Sequence, residues 1–491
     1  MAIRFRTILI ALLALQLVVP LLQPAASVGA QPAPALVPSL EVEVLADGLS
    51  IPWDLAMTSD GTLVFTERGG RLSVRHPDGQ VSPITADLGD LFVSGESGLL
   101  GLVLAPDFDD SRRFYTCQAH VGPSIQVIGW TLSDDFSTAT RFADPLVGGI
   151  PLVTGRHGGC RLRFGPSDQL WIATGDAAQS SAPQDLASLG GKVLRVDPET
   201  GEGSSDNPFA NSTNANTRRV YTYGHRNVQG LDLRPGTEQM WSVEHGPSTD
   251  DEINLLQPGG NYGWDPGPGY NERVPMTDTN KFPDAVEAKW STGSPTLALS
   301  GGVFINGRDW GPLNGSFAVA ALKAQSVRFF TFDDDGAVAS LHVSPELNRS
   351  FGRLRTPMSA PDGSLLLTTA NGSNDRILRI SPSASPIGAL DRVLKRSDGV
   401  SVRGWAIDPN RAKNAVKIRV SVDGEPVRTR KATERRADVG QVFPDFGPRH
   451  GYSFKVIVPA GRHEVCVEAL NLGGDDSPPT LLGCKNVRIS R

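Results

Sequence analysis

The sequence predicts an all-β chain, a β-propeller followed by a small β-sandwich, and three observations predict it. Short runs rich in β-formers each follow a Pro, Asp or Gly turn signal, and this unit recurs along most of the chain. The 491 residues include 53 Gly and 37 Pro, which favours many turns over long helices. After a Ser/Pro segment at 381–386 the pattern changes to alternating apolar and polar runs of sandwich type.

The elements follow in chain order. Arg4 and Arg6 precede an apolar run from Ile8 to about Leu22, and Val28-Gly29-Ala30 supplies small residues before Gln31. This reads as a secretory signal peptide over 1–30. An uncleaved membrane anchor is the alternative, against which the run is shorter than a typical span. The propeller is expected over 31–385. Its clearest strands are 62–66, 169–174, 239–243 and 364–369, each behind a turn such as Ser59-Asp60-Gly61 or Pro361-Asp362-Gly363. Their irregular spacing does not give a blade count, and long insertions are expected on one face. Asp333-Asp334-Asp335-Gly336 reads as a hairpin turn, not a metal loop. Over 386–491 the runs 402–407, 416–422, 454–458 and 464–468 alternate in the manner of a β-sandwich.

Lys and Arg number 47 against 53 Asp and Glu, a net −6 that becomes −8 without residues 1–30. That balance argues against a nucleic-acid backbone binder, which needs a basic face. Export makes an even cysteine count a disulfide framework: Cys466 with Cys484, and Cys117 with Cys160 as the remaining pair. No C-x-x-C spacing supports zinc.

Four stretches could carry chemistry. His157 stands beside Gly158-Gly159 on a loop before a strand, where a ligand can approach, and histidine is the usual base near neutral pH. Arg226 and Asn227, inside Gly224–Gly230, are adjacent donors suited to an oxygen-rich ligand. Gly246-Pro247 exposes carbonyls next to Asp250-Asp251-Glu252, hard oxygen chemistry of the kind calcium takes. Arg353 and Arg355 share one face of a strand and repel each other unless an anion lies between them, with Lys323 as a third cation. Singly, each has a bland reading as a structural histidine, a turn, a solvated acidic loop or a strand edge. Together they supply a base, paired donors, an anion clamp and a calcium-type site.

In this order, with Gly48–Trp53, Gly95–Gly101 and Asn261-Tyr262-Gly263-Trp264, the motifs resemble the PQQ-dependent soluble sugar dehydrogenases, the glucose/sorbosone dehydrogenase family. The resemblance runs from about Leu45 to Ile380. It implies a six-bladed propeller that oxidises an aldose at C1 to its lactone with PQQ and calcium as cofactors. His157 would be the base, and Arg226 and Asn227 would contact the quinone oxygens. Lys323, Arg353 and Arg355 would clamp its carboxylates, and Glu96 would border the cofactor. Gly246 and Pro247 would hold the catalytic calcium, while Glu252 and the Tyr262 carbonyl resemble a second, structural calcium site. Two residues depart from the glucose enzymes: Glu96 replaces Gln and Arg156 replaces Asp, which changes the contacts to substrate. The C-terminal segment resembles a secreted actinobacterial β-sandwich module and suggests contact with cell-wall or other polysaccharide. The rival readings are a calcium-dependent propeller lactonase, disfavoured by the cationic clamp, and a non-catalytic carbohydrate or protein binder. The resemblance also implies that the electrons pass to a diffusible or membrane acceptor.

Overall fold

The computed structural model describes residues 37–490 apart from 123, 384, 409–413, 445 and 472–478, so the leader expected over 1–30 lies outside the described residues. Among the described residues strands dominate, and the α-helices are short: Phe108–Ser111, Ala215–Arg219 and Ala437–Val442. No helix there is long and apolar enough to cross a membrane.

Residues 40–382 build six sheets, five of four strands and one of five, antiparallel except where Thr85–Ala86 joins Thr138–Pro151 in parallel. The first strands of successive sheets are Pro52–Met57, Leu99–Leu104, Gly159–Phe164, Val228–Leu233, Leu299–Phe304 and Leu354–Ser359. Each contacts the next, and the last contacts the first, so the six sheets close into a ring. The ring is fastened by strands from opposite ends of the chain. Leu40–Leu49 pairs antiparallel with Asp375–Pro382 and completes the sheet begun by Leu354–Ser359. Closure covers the inner edges of the sheets, and outer strands such as Val81–Pro83 and Trp290–Ser291 leave only short edges.

The second strands explain the sequence signal. Leu63–Glu67, Leu170–Thr174, Met240–Glu244, Phe317–Ala321 and Leu365–Thr369 are buried at every position. Each is covered on both faces by adjoining sheets, so the runs read as continuously apolar rather than alternating. Four of the five coincide with the expected runs. Asp333–Gly336 is indeed a hairpin turn, with Asp333 Oδ1 accepting from the amides of Asp335 and Ala337.

Residues 387–489 form a three-stranded and a four-stranded sheet. Val400, Val402, Ile418, Val420, Phe454, Val456, Val465 and Val467 from both sheets share one apolar core. Cys466 pairs with Cys484 across neighbouring strands, and Cys117 joins Cys160. The second bond ties strand Arg113–His120 to the start of strand Gly159–Phe164, three residues beyond His157.

Candidate active site

One end of the ring collects the chemistry, because in each sheet the entry to the first strand lies beside the exit of the antiparallel second strand. Glu96, His157, Arg226-Asn227 and Arg353 lie at or just before the starts of four first strands. Asp176, His245-Gly246 and Leu322-Lys323 follow the ends of three second strands.

His157 is 3 % exposed and holds φ at +52°, a left-handed conformation uncommon outside glycine. Its neighbours are built around it. A Cβ on Gly175 would lie 1.8 Å from the His157 carbonyl oxygen, so only glycine permits this approach. The His157 amide donates to Glu96 Oε2 at 3.1 Å. Nδ1 lies 2.9 Å from Asp176 Oδ1 and 2.8 Å from Tyr270 Oη. Asp176 also accepts from Tyr270 Oη and Trp264 Nε1, both at 2.8 Å, and from the Ala178 amide. An ionised carboxylate only accepts, so Nδ1 carries the ring proton. Arg156 Nη2, which only donates, stands 3.4 Å from Nε2. Both neighbours thus assign the lone pair to Nε2, the state of a base.

Arg226 and Asn227 sit in the turn before strand Val228–Leu233. Arg226 Nη1 donates to the carbonyls of His245 (3.0 Å) and Gly246 (3.1 Å), and Nη2 donates to Glu272 Oε1 at 2.6 Å. Burial pushes Glu272 up, but the hydrogen bond and charge of Arg226, with Arg156, outweigh it and hold the carboxyl below its usual range. Asn227 Oδ1 accepts from the Gly159 amide and Gln229 Nε2.

Next to these lies a cleft of about 410 Å³, its open mouth included, lined among others by Trp53, Glu96, Gln229, His245, Arg353 and Arg355. Arg353, in the bend before strand Leu354–Ser359, and Arg355, within that strand, both line this cleft. Lys323 is exposed, and its neighbour Leu322 lines the cleft in its place. Arg355 donates to Gln229 Oε1 at 3.1 Å and lies over the Trp53 ring, whose indole also carries Arg161 at 4.3 Å. Burial, then the charges of Arg161 and Arg353, lower Arg355 to about 9. Burial, then Arg226 and Arg355, lower His245 to about 3, so its imidazole is neutral.

Four polar atoms are buried without a protein partner: Arg355 Nε and His245 Nε2 on residues that line the cleft, and Arg226 Nε and Asn227 Nδ2 in the turn that precedes Gln229. Buried polar groups are normally satisfied. Arg226 Nε, Asn227 Nδ2 and Arg355 Nε are donors that an oxygen-rich anionic ligand would satisfy, so the residues present fit a multi-carboxylate quinone.

The calcium-type residues divide. Asp251 Oδ1 accepts from the Gly246 amide and Oδ2 from the amides of Leu297 and Leu299. That carboxylate is therefore spent on main chain, and a cation at Gly246 and Pro247 would meet carbonyls there, one of which already accepts from Arg226. Glu252 lies in strand Glu252–Leu255, opposite Glu244 in register, and burial and then Glu244 raise its carboxyl well above the usual range. It lines a separate acidic cavity with Asp250, Thr277 and Glu287, which Tyr262 does not line. Among the described residues the one tight cluster of His, Cys and carboxylate ligands is Glu464 with Cys466 and Cys484, and those sulfurs are bonded to each other.

Sequence reasoning missed Asp176, Tyr270 and Glu272. Asp176 carries a faint signal, Thr174-Gly175-Asp176 at the end of a β-run. Tyr270 and Glu272 stand in an irregular segment that carries none.

The Glucose / Sorbosone dehydrogenase family profile matches residues 49–379. Aldose sugar dehydrogenase YliI of Escherichia coli is 33% identical over 356 residues, 70% of this chain and 93% of that protein. Quinoprotein glucose dehydrogenase B of Acinetobacter calcoaceticus is 31% identical over 270 residues, 48% of this chain and 54% of that one. Among solved structures, the PQQ-bound form of aldose sugar dehydrogenase from Streptomyces coelicolor superposes with a TM-score of 0.59 at 28% identity, covering 71% of this chain and 99% of its own. The ring of sheets, the Asp-bound histidine at its mouth and these likenesses agree: the chain belongs to the glucose/sorbosone dehydrogenase family and is an oxidoreductase of the sugar dehydrogenase type.

Proposed function

We propose that the protein oxidises an aldose at C1 to the lactone, with PQQ as the oxidant and calcium as its partner ion. The observation that carries the reading is the set of three unpartnered buried donors, Arg226 Nε, Asn227 Nδ2 and Arg355 Nε, beside a histidine whose Nδ1 is tied to Asp176. His157 Nε2 would take the proton of the anomeric hydroxyl, while Asp176 and Tyr270 hold the ring and stabilise the imidazolium that forms. Arg355 and Arg353 would meet the cofactor carboxylates, and Asn227 and Arg226 the quinone oxygens. When bound, PQQ and calcium supply a two-electron acceptor for the C1 hydride and a Lewis acid that polarises it. Gly246 and Pro247 would hold the ion through their carbonyls, the first of which accepts from Arg226 Nη1 here.

Titration of the purified protein with PQQ tests this. Binding is expected to be near-stoichiometric with calcium and weaker without it, and the loaded protein should reduce a dye in the presence of an aldose. Absence of PQQ binding sinks the reading and leaves a lactonase or a non-catalytic binder.

We read the six sheets as six propeller blades within 31–385, and 386–491 as a β-sandwich on a protein secreted through residues 1–30. The appended segment is suited to anionic polysaccharide. It carries 19 Lys and Arg against 12 Asp and Glu, on a chain whose net charge is −6. Arg462 and Arg488 stand directly opposite each other in neighbouring strands and, with Lys395, line a groove that also holds Asp423 and Glu464. Like charges so placed repel unless an anion intervenes. Co-sedimentation with a uronate- or phosphate-bearing cell-wall polymer should fall steeply with salt and be lost in Arg462→Glu/Arg488→Glu. Salt-independent or unaltered retention overturns the assignment.

A further inference from the structure

The mouth of the site holds two guanidiniums on one carboxylate oxygen. Glu272 Oε1 accepts from Arg226 Nη2 at 2.6 Å and from Arg156 Nη2 at 3.2 Å. Arg226 is the enclosed member, with its side chain 6 % exposed, whereas that of Arg156 is 48 % exposed. Two cations against one anion leave an excess positive charge, and it rests on the residue an incoming substrate meets. The same Arg156 nitrogen stands 3.4 Å from His157 Nε2, the atom that would receive the substrate proton. A substrate placed for that transfer must therefore displace Arg156 or pair with it. Arg156 reaches both His157 and Glu272 through Nη2, which leaves Nε and Nη1 to meet a ligand. Glu96, the other carboxylate of this rim, is turned to the His157 amide and lies near Arg355, whose cationic form its charge favours.

We propose that Arg156 is a specificity-determining residue and that the preferred substrates are anionic aldoses, with a carboxylate or phosphate at C6. This rests on the dehydrogenase reading for the reaction, though not for the binding. In a hexuronic acid the carboxylate is attached to C5, across the ring oxygen from C1, so it stays close to the carbon being oxidised. Arg156 pairs with that carboxylate while Nε2 reaches the anomeric hydroxyl. The carboxylate is a spectator: the C1–H hydride goes to the quinone oxidant, the O1 proton goes to His157, and C1 becomes the lactone carbonyl. Glu272 competes for the same guanidinium and sets the threshold of the preference.

Two measurements separate this from the dehydrogenase reading. The first is calorimetric titration of the full chain, with and without PQQ and calcium, using methyl β-D-glucuronide against methyl β-D-glucoside. The anomeric methyl group blocks oxidation, so the readout is binding alone. The glucuronide should bind about fivefold more tightly, the upper end for a partly exposed charge pair. That ratio should collapse toward one in Arg156→Gln, persist in Arg156→Lys, rise in Glu272→Gln and shrink with added salt. The second is dye reduction by the loaded enzyme, comparing kcat/KM for D-glucuronate, D-galacturonate and D-glucose 6-phosphate with the neutral aldoses. The two anionic classes identify whether carboxylate or phosphate is the better source of charge. Equal affinities for glucuronide and glucoside, or a preference that survives Arg156→Gln, overturn the proposal even if neutral aldoses are oxidised. Loss of all turnover with the glucuronide preference intact keeps the anion site and removes the dehydrogenase reading.

Discussion

Asp176→Asn is expected to lower kcat by about 10³-fold or more while leaving PQQ binding within about twofold, and His157→Ala to lower kcat by about 10²–10⁴-fold. The two losses have different causes. His157→Ala removes the proton acceptor. Asp176→Asn keeps the ring but alters its tautomer. The carboxylate accepts four hydrogen bonds, from His157 Nδ1, Tyr270 Oη, Trp264 Nε1 and the Ala178 amide. An amide in its place has one oxygen to accept and an NH₂ that must donate. If the NH₂ faces Nδ1, the ring proton moves to Nε2 and the lone pair leaves the substrate. The substrate concentration at half-rate should change less than kcat, because the carboxylate touches the histidine and not the sugar. Single-turnover reduction of bound PQQ, followed by absorbance, separates the chemical step from reoxidation. If Asp176→Asn retains full single-turnover rate, the tautomer argument fails, and with it the assignment of Nε2 as base.

What the sequence revealed of this site follows from how its parts are encoded. The second strands are buried on both faces, so Leu170–Thr174 and Leu365–Thr369 announce themselves as apolar runs behind turn signals. His157, Arg226, Asn227 and Arg353 sit at turns entering first strands, and the glycines beside them, 158–159 and 224, are visible as letters. Tyr270 and Glu272 reach the site from a segment with no periodicity, folded back over 94 and 46 residues to Asp176 and Arg226. Such long-range placement has no local signature. The acidic run at 250–252 misled in one respect. Asp251 has the composition of a metal ligand, yet its two oxygens bind main-chain amides, a role that composition does not distinguish from ligation. The ring count is likewise hidden, because insertions such as 265–289 stretch the repeat.

Asp54→Ala is expected to destabilise the protein by about 3–5 kcal/mol, the scale for removing one partner of a buried ion pair. Asp54 and Arg161 are both fully buried, with 2.7 Å between Oδ1 and Nη1. Asp54 Oδ1 also accepts from the Leu55 amide, and Oδ2 from the Leu102 amide and, at 3.3 Å, from Arg163. Truncation leaves two arginines facing each other, one with no route to solvent, and burial already lowers Arg161 to about 10 with Asp54 as the main opposing influence. Asp54→Asn should lose less than alanine, since it can still accept from one main-chain amide, but its NH₂ meets a ring of donors. The damage should not stop at stability. Arg161 also donates to Gln229 O and Thr356 Oγ1 and packs on Trp53, and Arg355 packs on that same indole. Loosening Arg161 therefore moves the floor on which the anion clamp stands. The expected result is a lower urea midpoint together with weaker PQQ binding in the folded protein, measured well below the unfolding transition. The weaker binding should also appear in a double variant with Arg161→Met, where no unpaired arginine remains at 161 and most of the stability returns. A stability loss with cofactor affinity unchanged would separate the core from the clamp and restrict Asp54 to folding.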